Sequence, residues 1–209
     1  MSEIAPISQT EYEDTSDHIL NTVGKPLDNI KIRIIDRETG TDCATGDDGE
    51  VLVQGFNLMT GYYKVPLESQ SIDADGWMHT GDMGHMNDYG YLTIMGRYKE
   101  IIIRGGGNIM PAEVEAVISE MPEIECVKVV PVPSEFYGEE VAACIVFKKK
   151  AGSKWNEENA RQFLKGRIAK YKIPSYFFLF DKFPILGSGK TDVEALKQKA
   201  AQLARHVDG

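Results

Sequence analysis

The chain has 209 residues and a net charge of −9, with 42% apolar and 26% charged side chains. This composition supports one large or two small globular domains, and the acidic balance argues against a dedicated nucleic-acid binder. The charge is divided unevenly: residues 1–97 hold six Lys+Arg against seventeen Asp+Glu, whereas residues 98–209 hold seventeen against fifteen, so the second half is the better host for an anionic ligand.

The opening stretch, MSEIAPISQTEYEDTSDHILNTVGKP, is polar, acidic and poorly periodic. It does not read as the start of a self-nucleating domain, and the expectation is that the chain begins inside a larger protein. Clean alternation then predicts a strand over IKIRIID, 30–36, and a second over EVLVQG, 50–55, joined by the turn-rich RETGTDCATGDDGE. After a stretch of low periodicity, WMHTGDMGHMNDYGYLTIMGR predicts short strands around a TGD turn and a DYG turn, with YLTIMG as a further strand.

From Gly96 the pattern changes. KEIIIRGGG predicts a short strand entering a glycine turn, and PAEVEAVISEM, 111–121, a helix. Pro111 suits its first position, Glu113 and Glu115 its positive end, and Val114, Val117 and Ile118 form an apolar stripe. IECVKVVPV, 124–132, and EVAACIVFKK, 140–149, read as strands, with a solvated hairpin expected at KKKAGSK, 148–154. An amphipathic helix is expected over 158–171, with Phe163, Leu164 and Ile168 on one face and Pro174 ending it. SYFFLF, 175–180, reads as a strand, and 192–205 as a closing helix capped by Asp192. Strands alternating with helices over about one hundred residues imply a compact α/β layer structure. The fold class expected is therefore α+β: a small antiparallel β-barrel-like subdomain over 1–97, then an α/β domain over 98–209 with a central sheet flanked by helices.

The cysteines, Cys43, Cys126 and Cys144, are scattered without a CxxC or Cys/His cluster, so a zinc site is not expected. Cys126 and Cys144 fall in apolar strand-like runs and read as small buried thiols. No apolar run approaches membrane-spanning length and no signal peptide is visible, so a reducing cytoplasm is the expected compartment.

Several short elements carry chemistry. In HTGDMG, 79–84, Asp82 can accept from vicinal hydroxyls, or can cap its own backbone. Arg97 in GRYKE offers a fork for ribose or phosphate oxygens, or a surface salt bridge, and Lys99 sits at the joint between the halves. RGGGN, 104–108, permits close backbone approach to a ligand, or is a plain turn. KYKIP, 170–174, attracts anions or complements the end of a helix. FPILGSGKTD, 183–192, has the look of a P-loop, but Pro184 stands where that motif needs a glycine six places before its lysine. Proline removes one of the N–H groups on which an anion nest depends.

Taken in order, these elements resemble the C-terminal part of the adenylate-forming enzymes: acyl-CoA synthetases, peptide-synthetase adenylation domains and luciferase. The resemblance rests on TVGKPLDNIKIRIID, GEVLVQGFNLMTGYYKVP, DGWMHTGDMG, GYLTIMGRYKEIIIRGGGNIMPAEVE and LGSGKTD, and it runs over essentially the whole chain. MSE at the start is similar to the close of the family's YGxTE motif, with Ser2 for the usual threonine. The resemblance implies an ATP-dependent carboxylic acid–CoA ligase that forms an acyl-adenylate and then a thioester, using ATP, Mg2+ and CoA on a small-molecule carboxylic acid. It assigns Lys190 as the catalytic lysine carried by a mobile lid, Ser2, Asp82 and Arg97 as nucleotide contacts, and Glu3 as the metal-associated glutamate. Lys99 would be the hinge, where many members have aspartate, and Gly105, Gly106 and Gly107 would border the pantetheine channel. ILGSG stands where many members have TxTG. The family's phosphate loop and acyl pocket lie outside these residues, so activity is expected to need the N-terminal domain. Two alternatives stay open: an adenylation domain that loads a carrier protein, and a free-standing module that binds a nucleotide or partner without catalysis.

Overall fold

The computed structural model describes residues 2–66, 71–148 and 155–208, so most of the hairpin expected at 148–154 lies outside it. The chain divides into two compact units, residues 1–99 and 100–209.

The first unit opens with strand β1 (Ser8–Gln9), helix α1 (Ser16–Asn21) and strand β2 (Lys25–Pro26), the two strands pairing antiparallel. The polar N-terminal stretch is thus ordered, and its anchor is a distant side chain. Tyr91, 5% exposed, donates its hydroxyl to Asp14, stacks on His18 at 3.8 Å and carries the Lys25 ammonium 4.7 Å above its ring. Strands β3 (Ile30–Ile35), β4 (Gly49–Gly55), β5 (Met78–Met86) and β6 (Leu92–Arg97) then form a four-stranded antiparallel meander. One face of this sheet buries Ile30, Ile34, Val51, Val53 and Leu92 with Ile4 and Met78. The expected barrel-like closure is not made among the described residues: β3 and β6 end the strand order unpaired with each other. Four strands are too few to wrap a filled interior, since small filled barrels use about eight. The expected TGD turn is also corrected, because residues 78–86 form one continuous, bulged strand.

In the second unit, strands β7 (Ile102–Arg104) and β8 (Gly107–Ile109) make a hairpin on the glycine turn, followed by helix α2 (Pro111–Ser119). Strands β9 (Ile124–Ser134) and β10 (Gly138–Phe147) pair along their length. After helix α3 (Glu157–Leu164), strand β11 (Tyr176–Leu179) lies parallel to β10, and helix α4 (Val193–Asp208) closes the chain. Strand β10 is buried on both faces, as its near-continuous apolar run requires. Val141, Ala143 and Ile145 pack with Val114 and Ile118 of α2 and Leu164 of α3, while Ala142 and Cys144 pack under Leu196, Ala200 and Ala204 of α4.

Local chemistry fixes the helix ends. The Asp192 carboxylate accepts from the Ala195 N–H at 3.0 Å, capping α4 as its position predicts. The Asn156 side chain accepts from the Glu158 N–H at 2.8 Å at the start of α3. Helix α3 is shorter than the sequence pattern suggests. It stops at Leu164 because Gly166 adopts φ +82°, a left-handed conformation that ends a helix. Ile168 still reaches the core, from the loop beyond. Cys144 is buried, and burial pushes its thiol up to about 12. Cys126, expected to be buried, is exposed: it shares by alternation the face of Val130 and Val132 but takes no part in the cluster under α4.

Candidate functional site

The residues proposed from sequence fall into two groups, one in each unit. In the first, β5 carries a bulge in which Thr80, Gly81 and Asp82 stand opposite the single residue Val51 of β4. Gly81 supplies φ +70°, which other side chains adopt only with strain. Thr80 Oγ1 donates to the Val51 carbonyl at 2.8 Å and accepts from the Asp82 N–H at 3.0 Å. Across the sheet Asp82 is in register with Arg97 of β6, and Arg97 Nε donates to Asp82 Oδ1 at 2.7 Å. The side chains retain 25% and 43% of their exposure, so this carboxylate–guanidinium pair is held in place yet open to a ligand. A carboxylate so placed can accept from hydroxyls, and the fork beside it can donate to ribose or phosphate oxygens.

A buried acid that sequence reasoning missed supports the other flank of the bulge. Glu50, 3% exposed, faces His79 Nδ1 at 3.4 Å and Arg37 Nε at 3.8 Å, and His79 Nε2 lies 3.7 Å from Asp73. The only sequence signal for it is a charged residue at the head of a strand, directly before the apolar run 51–53.

Ser2 is exposed and Glu3 half-buried at the start of the chain. Glu3 Oε1 accepts from the Tyr62 hydroxyl at 2.8 Å, and the Glu3 carbonyl accepts from the Met59 N–H at 2.8 Å. Its own backbone N–H first, and then the Tyr62 hydroxyl, hold the carboxyl below its ordinary range. Among the described residues no group of three or more His, Cys, Asp or Glu side chains could hold a metal ion. A lone carboxylate such as Glu3 nonetheless fits Mg2+, which commonly takes one or two carboxylates together with substrate phosphates. Lys99 is exposed, in the 3-10 turn Tyr98–Glu100, and is the last residue of the first unit.

In the second unit the glycine turn borders a cleft of about 950 Å3. Gly105 and Gly106 take φ +56° and +84°. A Cβ on Gly105 would lie 2.9 Å from the Tyr137 ring, and one on Gly107 3.4 Å from the Tyr171 ring; Gly106 faces open space. Gly105 and Gly107 line the cleft with Tyr137 and Tyr171, and Arg161, Lys165 and Lys170 add positive charge. Arg104 braces this wall. Its Nε sits 2.8 Å from the buried Glu140 carboxylate, its Nη1 donates to the Tyr171 carbonyl at 2.7 Å, and its guanidinium lies 4.9 Å over the Tyr137 ring. Of the KYKIP cations, Lys170 lines the cleft, whereas Lys172 pairs with Glu113 of α2 at 2.6 Å.

Lys190 is exposed on a short hairpin rather than a loose loop. The Leu186 N–H donates to the Lys190 carbonyl at 2.8 Å, the Gly189 N–H to the Leu186 carbonyl at 2.9 Å, and Ile185 bridges Thr191. Gly189, at φ +81°, permits the turn. Among the described residues the Lys190 ammonium forms no ion pair, so it is available to an anion. Asp82 and Arg97 are therefore brought into contact, and Gly105 and Gly107 into one cleft wall; Gly106 is not part of that lining.

Comparison with known proteins gives a consistent picture. The AMP-binding enzyme model matches residues 1–63, and the AMP-binding enzyme C-terminal domain model matches residues 113–190. The mitochondrial medium-chain acyl-CoA ligase ACSF2 of Homo sapiens is 35% identical over 209 residues, covering 99% of this chain and 33% of its own length. ATP-bound MatB from Rhodopseudomonas palustris superposes with a TM-score of 0.87 at 31% identity, over 97% of this chain and 40% of that one. o-Succinylbenzoate CoA synthetase MenE from Bacillus subtilis, in complex with the acyl-adenylate intermediate OSB-AMP, superposes with a TM-score of 0.77 at 33% identity, over 85% and 36%. The chain spans about a third of the length of the curated relatives it matches. Among the described residues no helix is long and apolar enough to cross a membrane.

Proposed function

Because the chain belongs to the adenylate-forming (AMP-binding) enzyme family and matches the C-terminal part of its acyl-CoA synthetases, we propose that it serves an ATP-dependent carboxylic acid–CoA ligase. The observation that carries this reading is the Asp82–Arg97 pair, aimed by the bulge in β5 and open to a nucleotide.

In the first half-reaction a substrate carboxylate oxygen attacks the α-phosphorus of ATP, the bond to pyrophosphate breaks, and an acyl-adenylate forms. In the second, the CoA sulfur attacks the acyl carbon, the bond to AMP breaks, and the thiol proton leaves to solvent. Asp82 accepts from the ribose hydroxyls and Arg97 donates to ribose or phosphate oxygens, with Ser2 as a further nucleotide contact. The first step brings two anions together, and a positive charge at their meeting point lowers the barrier. Lys190 supplies it, presented beside the turn of its hairpin, and Lys99 is the hinge about which the second unit turns as a lid. Mg2+, when bound, neutralises phosphate charge, and Glu3 is the residue of this chain that would hold it. CoA is the acceptor, its pantetheine passing the Gly105–Gly107 wall and its phosphates meeting the cations of the cleft. The boundary between the last part of the large domain and the lid lies near Arg97–Lys99. Adenylation needs the family's phosphate loop and acyl pocket in addition to these residues, and the reaction is assigned to a reducing compartment such as the cytoplasm.

The test is a half-reaction assay on the complete gene product, begun with medium-chain acids because ACSF2 is described as a medium-chain ligase. Lys190→Ala should reduce carboxylate-dependent pyrophosphate release by at least about a hundredfold, the scale on which one charge-stabilising group acts, while thiolysis of preformed acyl-adenylate persists. Equal loss of both half-reactions would refute the role of Lys190. If no carboxylic acid in a panel extended beyond medium chain length elicits pyrophosphate release, the ligase reading is refuted.

A further inference from the structure

We propose that Thr80 is the positioning residue for the nucleotide site: its hydroxyl is a built-in brace that fixes where the Asp82 carboxylate points. The proposal rests on the ribose reading of Asp82 and goes beyond it by naming what sets that side chain.

Three residues of β5 oppose one residue of β4 at this bulge. A bulge of this kind breaks the ladder locally and re-aims a side chain, but it leaves backbone groups without their ladder partners. Thr80 meets that need from within the bulge. Its hydroxyl gives its proton to the Val51 carbonyl, 2.8 Å away, and takes the Asp82 N–H at 3.0 Å. One side chain thus ties the residue opposite the bulge to the amide of the residue the bulge presents. Thr80 is only 7% exposed, so water is a poor substitute there.

The far side of the bulge is held as firmly. Gly84 approaches β6 so closely that a Cβ would lie 2.3 Å from the Thr93 carbonyl. That close approach accompanies a second register shift, between Met83 and Gly84, and beyond it Asp82 pairs with Arg97. Between the tie at Thr80 and the shift at Gly84 only Gly81, at φ +70°, is conformationally permissive. The Asp82 backbone is therefore held by the Thr80 hydroxyl on one side and its carboxylate by Arg97 on the other. Without the hydroxyl, Arg97 would pull on an unanchored carboxylate.

The test compares Thr80→Val, Thr80→Ala and Thr80→Ser in the complete gene product, with Asp82→Asn as reference. The readouts are KM for ATP, kcat, and the competitive inhibition constants of AMP and 2′,3′-dideoxy-AMP. The positioning role predicts that Thr80→Val and Thr80→Ala raise KM for ATP and the AMP inhibition constant about tenfold, the effect of losing one buried hydrogen-bond brace. It predicts kcat at saturating ATP within a few-fold, Thr80→Ser close to the unaltered protein, and no added penalty toward 2′,3′-dideoxy-AMP, which lacks the hydroxyls Asp82 would hold. In the 209-residue chain itself, Thr80→Val should speed hydrogen exchange at the Asp82 amide, and Thr80→Ser should not. Equal weakening toward AMP and its dideoxy analogue, or a Thr80→Ser variant as impaired as Thr80→Ala, would show a packing role and overturn the proposal. If Asp82→Asn weakens AMP and Thr80→Val does not, the brace alone is refuted. If Asp82→Asn also leaves AMP binding unchanged, the ribose reading falls and the brace with it.

Discussion

Glu140 is a buried charge of the second unit, and its removal has a calculable outcome. It sits on β10 opposite Val132, and its carboxylate faces Arg104 Nε at 2.8 Å and accepts from the Ser175 hydroxyl at 2.6 Å. The side chains retain 18% exposure for Arg104 and 10% for Glu140. Taking one member from such a pair leaves the other charge uncompensated, which costs about 3–5 kcal/mol, whereas replacing both with apolar residues is often nearly neutral. Glu140→Leu should therefore destabilise the unit by about 3–4 kcal/mol, and Glu140→Gln, whose amide oxygen can still accept from the Ser175 hydroxyl, by about 1–2 kcal/mol. Arg104→Met costs more than its charge alone, because it also forfeits the bond to the Tyr171 carbonyl and the stack on Tyr137. The double variant should nonetheless be more stable than the sum of the singles predicts, by about 2 kcal/mol or more.

The assay is urea denaturation followed by Trp155, which lies 5.1 Å from the Phe147 ring and 6.0 Å from Phe177 in the core of the second unit. Trp77 belongs to the first unit, so the series is best made in a Trp77→Phe background, leaving one reporter. The reasoning is refuted if the two single losses simply add, or if Glu140→Leu shifts stability by less than about 0.5 kcal/mol, the scale of an ordinary surface change.

Two further outcomes follow from the cleft and from the N-terminal anchor. Gly107→Val would press a branched side chain against Tyr171, where even a Cβ lies at 3.4 Å. Thiolysis by CoA should slow on the order of tenfold while pyrophosphate release is spared, and an unchanged thiolysis rate would remove Gly107 from the channel. The bond from Tyr91 to Asp14 pushes the phenol up to about 12 and holds the carboxyl below its ordinary range. The raised phenol contributes stability that is full below its ordinary pKa near 10.0 and is lost as pH rises through about 12. The depressed carboxyl contributes stability above the ordinary carboxylate pKa that is lost as pH falls through its lowered value. Tyr91→Phe should abolish the alkaline dependence and weaken the acid one, which the Glu11 N–H on Asp14 still sustains, and urea midpoints that keep the same alkaline fall between pH 10 and 12 would contradict this.

What the sequence revealed and what it concealed divide along the range of the interactions. Asp192 capping α4, Pro111 opening α2 and the apolar strand runs of β9 and β10 each depend on residues within a few positions, and these were legible. The end of α3 was not. A glycine inside an amphipathic pattern is compatible with a continuing helix, and only the need to turn back toward β11 selects φ +82° at Gly166. The N-terminal segment was opaque for the same reason, since Asp14, His18 and Lys25 gather around Tyr91, which is remote in sequence. At the candidate site the residue types were readable and their support was not. Asp82 and Arg97 could be named from HTGD and GRYKE, but composition made the first motif a turn, because T-G-D has turn chemistry. The strand continues through it because β4 and β6 impose a register on either side, and the excess residues are expelled as a bulge. Thr80 and Glu50 gain their roles only from that register, since a threonine inside a strand has no partner specified by its neighbours in sequence. Ligand-facing residues were thus visible as types, while the residues that aim them were fixed by strand pairing, which no local pattern encodes.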